Sequence, residues 1–455
     1  MKFQSMYKLA VAFSVVLMCL HCGASDSIAQ NKMDSIAKQQ VMSMLSNIKN
    51  AIKNDYYDPN PKFAGMDLDT RFKTAEEKLK KTEFLGDALA VIGQAVIDLN
   101  DSHTKFFPPG ITTITEYGWR MKIIGDKAFI SGVLPNSDAD KKGIRVGDEV
   151  LAINGFRPTR RELWKMLYYY DVVSPKVKLT LDVKSPAGET RQLVIATKLT
   201  QLKKSIDLAN TFDLNAAFRE GDKLKDLDRH YFQEVGDAII WKMPTFVYDP
   251  RDVGGLVERA NNKKTLILDL RGNGGGLVVT LEELAGYFFD HDIKIADLKG
   301  RKKLDPQQAK TKGSKVFKGK LIVLVDAGSA SASEIFARLI QLEKRGIVLG
   351  DVSMGAVMQS RGKGFSLGVD DAWGYGMNMT MADVIMSDGK SLEHVGVMPD
   401  ELILPTGQDQ AERSDPVMAR ALELSGHKIE ASIAGKFFPA EKVIERTSNV
   451  AIQYY

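Results

Sequence analysis

The sequence predicts a multidomain α/β protein, on three observations in chain order. A stretch rich in Ala, Lys, Glu and Leu runs from about Asp34 to Leu99, short strand-like segments fill Tyr117 to Lys198, and from Asp237 onward apolar runs alternate with helical stretches. With 455 residues, 44% hydrophobic and 26% charged, the chain is globular in composition and too long for one ordinary core. Its 62 basic and 58 acidic residues nearly balance, and no Lys/Arg block stands out, so nucleic acid is not an expected partner.

The first segment reads as a leader. Met1-Lys2 and Lys8 precede an apolar run from Leu9 to Leu20, and small residues follow at Gly23-Ala24-Ser25, the pattern of a secretory signal rather than a spanning helix. Export to the periplasm or cell envelope is therefore expected. Both cysteines, Cys19 and Cys22, lie inside this segment, so a chain cleaved after Ala24 holds no thiol for a disulfide, a thiolate metal site or a nucleophile. A lipid-bearing Cys19 or Cys22 is the alternative processing, disfavoured by Met18 and His21 before them. No later stretch reaches the roughly 20 apolar residues that a membrane span needs.

The helical stretch is interrupted around Tyr57-Asp58-Pro59-Asn60-Pro61, which divides it into two or more helices, and it ends in the polar loop Asn100-Asp101-Ser102-His103-Thr104. Strands are then expected at Ala128–Leu134 and Glu149–Ile153, with a Gly-rich turn between them. The run from Val133 through Lys142-Gly143-Ile144-Arg145-Val146-Gly147-Asp148 to Asn154-Gly155 resembles the middle of a PDZ domain. That resemblance implies a groove taking an extended peptide as an added strand, with Tyr117-Gly118-Trp119-Arg120 as the candidate loop for a terminal carboxylate. Buried strands follow at Ala238–Trp241, Thr265–Leu270, Leu321–Val325 and Gly346–Leu349, an α/β layered core.

Two elements of this core could carry chemistry. Leu266-Ile267-Leu268-Asp269-Leu270-Arg271-Gly272-Asn273-Gly274-Gly275-Gly276-Leu277 is a strand running into a glycine turn and a helix, which aims backbone N–H groups at a negative atom; a tight structural turn would have the same sequence. Asp326-Ala327-Gly328-Ser329-Ala330-Ser331-Ala332-Ser333-Glu334 is a loop of tiny residues opening a helix, and a serine there lies near the positive end of the helix dipole. Helix capping by Ser331 or Ser333 with Glu334 is the alternative. No His-Glu-x-x-His or similar spacing appears, so no metal site is expected.

Together the two elements resemble the S41-type serine peptidases, the family of tricorn core protease and the C-terminal-processing proteases. The likeness covers roughly Asn100 to Asp415. It implies a β/α/β crotonase-like (ClpP-like) catalytic core that hydrolyses extended polypeptides through an acyl-enzyme, with no cofactor. Aligned on Glu334, the nucleophile is Ser331, and the oxyanion donors are the Ala332 N–H and a glycine N–H, that of Gly275. Processing proteases pair their serine with a lysine after a Gly-Glu-x-Thr-x-Gly segment. Here Gly350-Asp351-Val352-Ser353-Met354-Gly355 is followed by Ala356, and Lys363 is displaced by several residues. The tricorn-like branch uses a serine–histidine pair and a late glutamate, which this chain matches with Ser102, His103 and Glu393 of Leu392-Glu393-His394-Val395-Gly396-Val397-Met398-Pro399-Asp400. His103 is thus the implied base, Ser102 its orienting group and Glu393 the carboxylate behind it, with His394 in reserve; His230, His291 and His427 match no motif. The alternatives are a Ser-Lys protease using Lys363 and an inactive peptide-binding protein. The expected domains are a signal segment 1–24, a helical domain 25–112, a PDZ-like domain 113–200, a catalytic domain 201–410 and an extension 411–455.

Overall fold

The computed structural model describes residues 32–58, 65, 67–109, 113–201, 229–367 and 373–439. The leader and both cysteines lie outside the described residues. Helix Ser35–Asp55 is capped by Asp34, whose carboxylate accepts the Ala37 N–H at 2.7 Å, and it buries Val41, Met44, Leu45, Ile48 and Ile52, spaced three or four apart on one face. Helices Leu68–Lys81 and Leu85–Ile97 complete this region. Their apolar faces close over a long antiparallel hairpin, Met358–Leu367 with Trp373–Met386, burying Met358, Tyr375, Met377 and Met379. Strand Lys105–Phe107 pairs with the same hairpin, Lys105 opposite Asn378. The N-terminal helices and the hairpin Met358–Leu367 with Trp373–Met386 therefore share one core. Sequence patterning missed the hairpin because Gly362, Gly364, Gly374 and Gly376 interrupt it and only one face is apolar.

The PDZ-like part is a five-stranded antiparallel sheet in the order Trp119–Ile124, Lys127–Val133, Glu149–Ile153, Lys178–Lys184, Thr190–Ala196. Its own core includes Ile130, Ile144, Val150, Leu181 and Ile195. The chain enters and leaves it through a two-stranded ribbon, Thr113–Glu116 with Lys198–Gln201. The expected carboxylate loop is already filled from within: Gly118 N–H donates to Glu116 Oε1 at 2.9 Å, and Arg120 pairs with the same carboxylate at 3.1 Å.

The third region is a six-stranded sheet ordered Glu401–Leu402, Ile347–Gly350, Lys320–Val325, Thr265–Asp269, Ala238–Lys242, Tyr231–Val235. All neighbours are parallel except the last pair. Strand Thr265–Asp269 is buried throughout, as a sheet covered on both faces requires. Helices Val278–Ala285 and Ala332–Leu342 cover one face. On the other, helix Pro416–Leu424 packs Val417, Met418, Ala421 and Leu422 against Ile240, Ile267, Ile322, Leu324 and Leu349. Among the described residues after 411, helix Pro416–Leu424 is thus a layer of this core.

Arg271 fixes that layer. Its guanidinium bonds both Asp415 oxygens at 2.8 Å and both Asp269 oxygens at 2.9 Å, and Asp415 caps helix Pro416–Leu424. Burial opposes ionisation of Asp269, but the Arg271 and Lys242 charges prevail and hold its carboxyl well below the usual range. Arg271→Met leaves two buried carboxylates facing each other. We expect it to lower unfolding free energy by about 3–5 kcal/mol, read from the urea midpoint at unchanged slope.

Candidate active site

Three serines lie where strand Lys320–Val325 leads into helix Ala332–Leu342, Ser329 and Ser331 in the loop and Ser333 in the first helical turn, and their surroundings separate them. Ser329 Oγ accepts the Asp326 N–H at 3.0 Å and donates to the Leu270 carbonyl at 2.8 Å. Ser333 Oγ donates to the Asn273 carbonyl at 2.8 Å. Both are fully buried. Ser331 is only partly buried, and it adopts φ +55°, ψ −117° at the helix N-terminus. A non-glycine residue in this region costs on the order of 1–3 kcal/mol and persists only where its surroundings impose it. Here the Ser331 N–H donates to the Ala356 carbonyl and to Glu334 Oε2, each at 3.0 Å.

Glu334 is fully buried and does more than cap a helix. Its Oε1 accepts Ser353 Oγ–H at 2.6 Å and the Gly355 N–H at 2.7 Å, and its Oε2 accepts the Ala356 N–H at 2.9 Å beside that of Ser331. One carboxyl thereby ties the strained serine to the segment Ser353–Val357. The next amide, Val357 N–H, donates to Glu393 Oε2 at 2.8 Å.

From Glu393 the bonds continue to the Ser-His pair. Glu393 Oε1 accepts the Ser102 N–H at 2.7 Å, Oε2 accepts Ser102 Oγ–H at 2.9 Å, and Ser102 Oγ lies 2.7 Å from His103 Nδ1. Asp101 sets the turn beneath them: its Oδ1 accepts the His103 and Thr104 N–H groups and Thr380 Oγ1–H, and its Oδ2 accepts Tyr56 O–H at 2.6 Å. His394 also braces this loop, with Nε2 at 2.6 Å from the Asn100 carbonyl and its N–H on the Gly355 carbonyl at 2.7 Å. Ser102, His103 and Glu393 thus form one hydrogen-bonded line, joined to the Ser331 side through adjacent residues 356 and 357. Lys363 stands apart. Its Nζ bonds Asp55 at 2.7 Å, and it lies about 16 Å beyond Met358 at about 3.3 Å per strand residue.

The glycine turn packs directly on the serine. A Cβ on Gly275, at φ +93°, would lie 2.7 Å from Ser331 Cβ and 2.9 Å from the Ala332 nitrogen, so this close approach requires glycine. The Gly275 N–H itself, however, donates to Asn273 Oδ1 at 2.9 Å. The amides of Gly276 and Ala332 donate to no protein acceptor among the described residues.

Burial governs the electrostatics. It pushes the Glu334 carboxyl up to about 7 against four donors that favour the charged form. Burial and then the Asp101 charge push Glu393 up to about 8. Burial, reinforced by the Lys105 charge, pulls His103 well below its ordinary value, so its imidazole is neutral at physiological pH. Lys105 is itself buried and drawn down to about 8, although Asp101 and Glu393 oppose that shift. By sequence Glu334 is a cap partner and the residue on which the Ser331 motif is aligned, with no sign of its tertiary bonds, and no role is read for Asp101, Lys105 or Ser353. The adjacency of Asp101 to the Ser-His pair was the one local sign. Ser353 and Lys105 become relevant only through tertiary contact.

Comparison with known proteins agrees with this architecture. Residues 241–403 match the family model of peptidase family S41, and residues 113–165 match that of the PDZ domain. The tail-specific protease of Haemophilus influenzae is 24% identical over 73% of this chain and 48% of its own length. The carboxyl-terminal-processing peptidase 1, chloroplastic, of Arabidopsis thaliana is 25% identical over 71% of this chain and 64% of its own. The chain therefore spans about half to two thirds of those relatives. Among solved structures, mature CPAF superimposes with a TM-score of 0.63 at 15% identity, covering 83% of this chain and 95% of that one. The chain is thus similar to the S41-type serine peptidases over residues 241–403, with a match to the PDZ domain ahead of that region at residues 113–165.

Proposed function

We propose that this protein is a serine endopeptidase that cleaves extended or unfolded polypeptides through an acyl-enzyme on Ser331, with His103 as general base. The observation that carries the proposal is the line Glu393–Ser102–His103, which selects one tautomer once Glu393 is ionised. Ser102 donates its hydroxyl proton to Glu393, so its oxygen accepts Nδ1–H of His103 and the Nε2 lone pair is left for a proton. A neutral imidazole in this tautomer is the form a general base needs.

In the proposed reaction, His103 Nε2 takes the Ser331 hydroxyl proton as Oγ attacks the peptide carbonyl carbon. The resulting oxyanion is held by the Ala332 N–H and an amide of the glycine turn. Gly276 supplies the second donor unless Gly275 releases Asn273. Nε2–H then protonates the leaving amine, the C–N bond breaks and the acyl-enzyme remains. Water, deprotonated by the same nitrogen, attacks the ester and frees the acid and Ser331. Strain at Ser331 and the dipole of helix Ala332–Leu342 support the same assignment. We place the substrates outside the cytoplasm, from the leader at residues 1–24. Extended internal segments suit the PDZ part better than free carboxy termini, because Glu116 occupies the amide that a terminal carboxylate would use.

The first test is casein hydrolysis by the chain lacking residues 1–24. Ser331→Ala is expected to abolish turnover and His103→Ala to lower kcat by about a thousandfold or more, with Lys363→Ala within about twofold of wild type. Loss of activity on removing Lys363 would move the base to that residue. Peptide binding with no cleavage by the wild type would make the chain a binding protein.

The pH dependence follows from the shifted groups. His103 loses its proton well below 6.5, whereas Glu393 keeps one up to about 8, and that proton occupies a lone pair into which Ser102 or Val357 donates. The rate is therefore expected to climb as pH rises from about 6 through about 8. Glu393→Gln should lower the plateau and flatten that climb. A profile already level at pH 6.5 would contradict the assignment.

A further inference from the structure

One short stretch of the PDZ part, Arg160 to Tyr168, touches both halves of the site. On the serine side, the Arg160 guanidinium makes four bonds: Nη1 to the Val352 carbonyl at 2.6 Å, Nη2 to Asp351 Oδ2 at 2.7 Å, and Nη2 and Nε to the Gly125 carbonyl at 2.6 and 3.1 Å. The Gly125 N–H adds a fifth tie, to Asp351 Oδ2 at 2.8 Å. Asp351 is buried, and its Oδ1 accepts the Val352 N–H at 2.7 Å. On the histidine side, Tyr168 Oη accepts the Phe106 N–H at 2.9 Å and donates to the Phe106 carbonyl, and the Trp164 ring lies 5.7 Å from the Lys105 ammonium.

The serine-side clamp ends one residue before Ser353, whose hydroxyl bonds Glu334. Gly355, Ala356 and Val357 then distribute their amides between Glu334 and Glu393. Nothing softer than three covalent residues and their hydrogen bonds separates Arg160 from the groups that set Ser331 and His103. The contact is polar, and Arg160 belongs to neither the PDZ core nor the peptidase core, so its removal leaves both apolar interiors intact.

We propose that Arg160 is a positioning residue for hydrolysis at Ser331, acting through Asp351 and Val352 on the segment Ser353–Val357. The PDZ part then serves as a fixed template for the peptidase site, independently of any peptide it holds. This rests on the reading of Ser331 as nucleophile given above. A displacement of about 1 Å in a catalytic constellation costs on the order of a hundredfold in rate, so a clamp this near the site registers in kcat. Lysine cannot replace it, since a single ammonium does not reach three acceptors in the fork geometry of a guanidinium.

The test compares the wild type with Arg160→Ala and Arg160→Lys by steady-state kinetics and by amide hydrogen exchange. We expect kcat to fall about 10- to 100-fold in both variants with KM within about twofold. Faster exchange is expected at Gly355, Ala356 and Val357 but not in strand Glu149–Ile153, and millimolar ethylguanidinium should partly restore Arg160→Ala alone. Unchanged exchange at 355–357 would overturn the proposal whatever the activity. So would unchanged kcat, or a rise in KM alone, which would make Arg160 a substrate contact. Failure of the underlying catalytic reading shows separately, as a wild type that cleaves nothing while exchange at 355–357 still responds to Arg160, an outcome that upholds the mechanical link.

Discussion

The buried carboxyl of Glu334 is the interaction on which the rest of the site depends. It gathers four donors from residues 331, 353, 355 and 356, which come from two loops far apart in sequence. An unpaired carboxylate in such a place would cost several kcal/mol, so burial and bonding are acceptable only together. That requirement holds Ser331 in a backbone conformation it would otherwise leave. It also holds Ala356 and Val357 where one faces the serine and the other faces Glu393. A helix-capping glutamate by local sequence is thereby a tertiary fastener.

The same logic explains why several chain segments meet at one place. Asp101 is satisfied by Tyr56, Thr380 and the amides of its own turn, which couples the N-terminal helices to the long hairpin under His103. Ser353 is satisfied by Glu334 and by the Val397 N–H, which brings the segment around Glu393 alongside. Asp101, Glu334, Ser353 and Glu393 are each paired with a group from another segment, so the helical, hairpin and sheet layers cannot shift independently at the site. The burial that makes these pairings necessary also moves the acid and base strengths apart: the histidine becomes a weaker base while the carboxyls hold their protons longer.

Much of the fold was legible because its strands are buried on both faces. Ala238–Lys242, Thr265–Asp269 and Lys320–Val325 read as apolar runs, and the turn Arg145–Asp148 with its glycines marked the PDZ part. The hairpin 358–386 escaped notice, since a strand with one apolar face and repeated glycines has no continuous hydrophobic signal. The layer made by Pro416–Leu424 was also missed: Asp415 meets Arg271 only after folding, 144 residues apart. At the site, Ser331, His103, Ser102 and Glu393 stood in recognisable motifs. Glu334 stood in one too, but its bonds to Ser353, Gly355 and Ala356 were not legible there, and Asp101 and Arg160 carried no such sign, because these roles are defined by partners distant in sequence. The choice between Gly275 and Gly276 turns on where one amide points, which a run of three glycines leaves open.

The most direct test of the central claim is stoichiometric labelling with a fluorophosphonate, the labelled residue being located by mass mapping of peptides. The account expects one phosphonyl group per chain, on Ser331, formed at least about tenfold more slowly when Ser102→Ala uncouples His103 from Glu393. Labelling of another serine, no labelling, or a rate indifferent to Ser102 would contradict it.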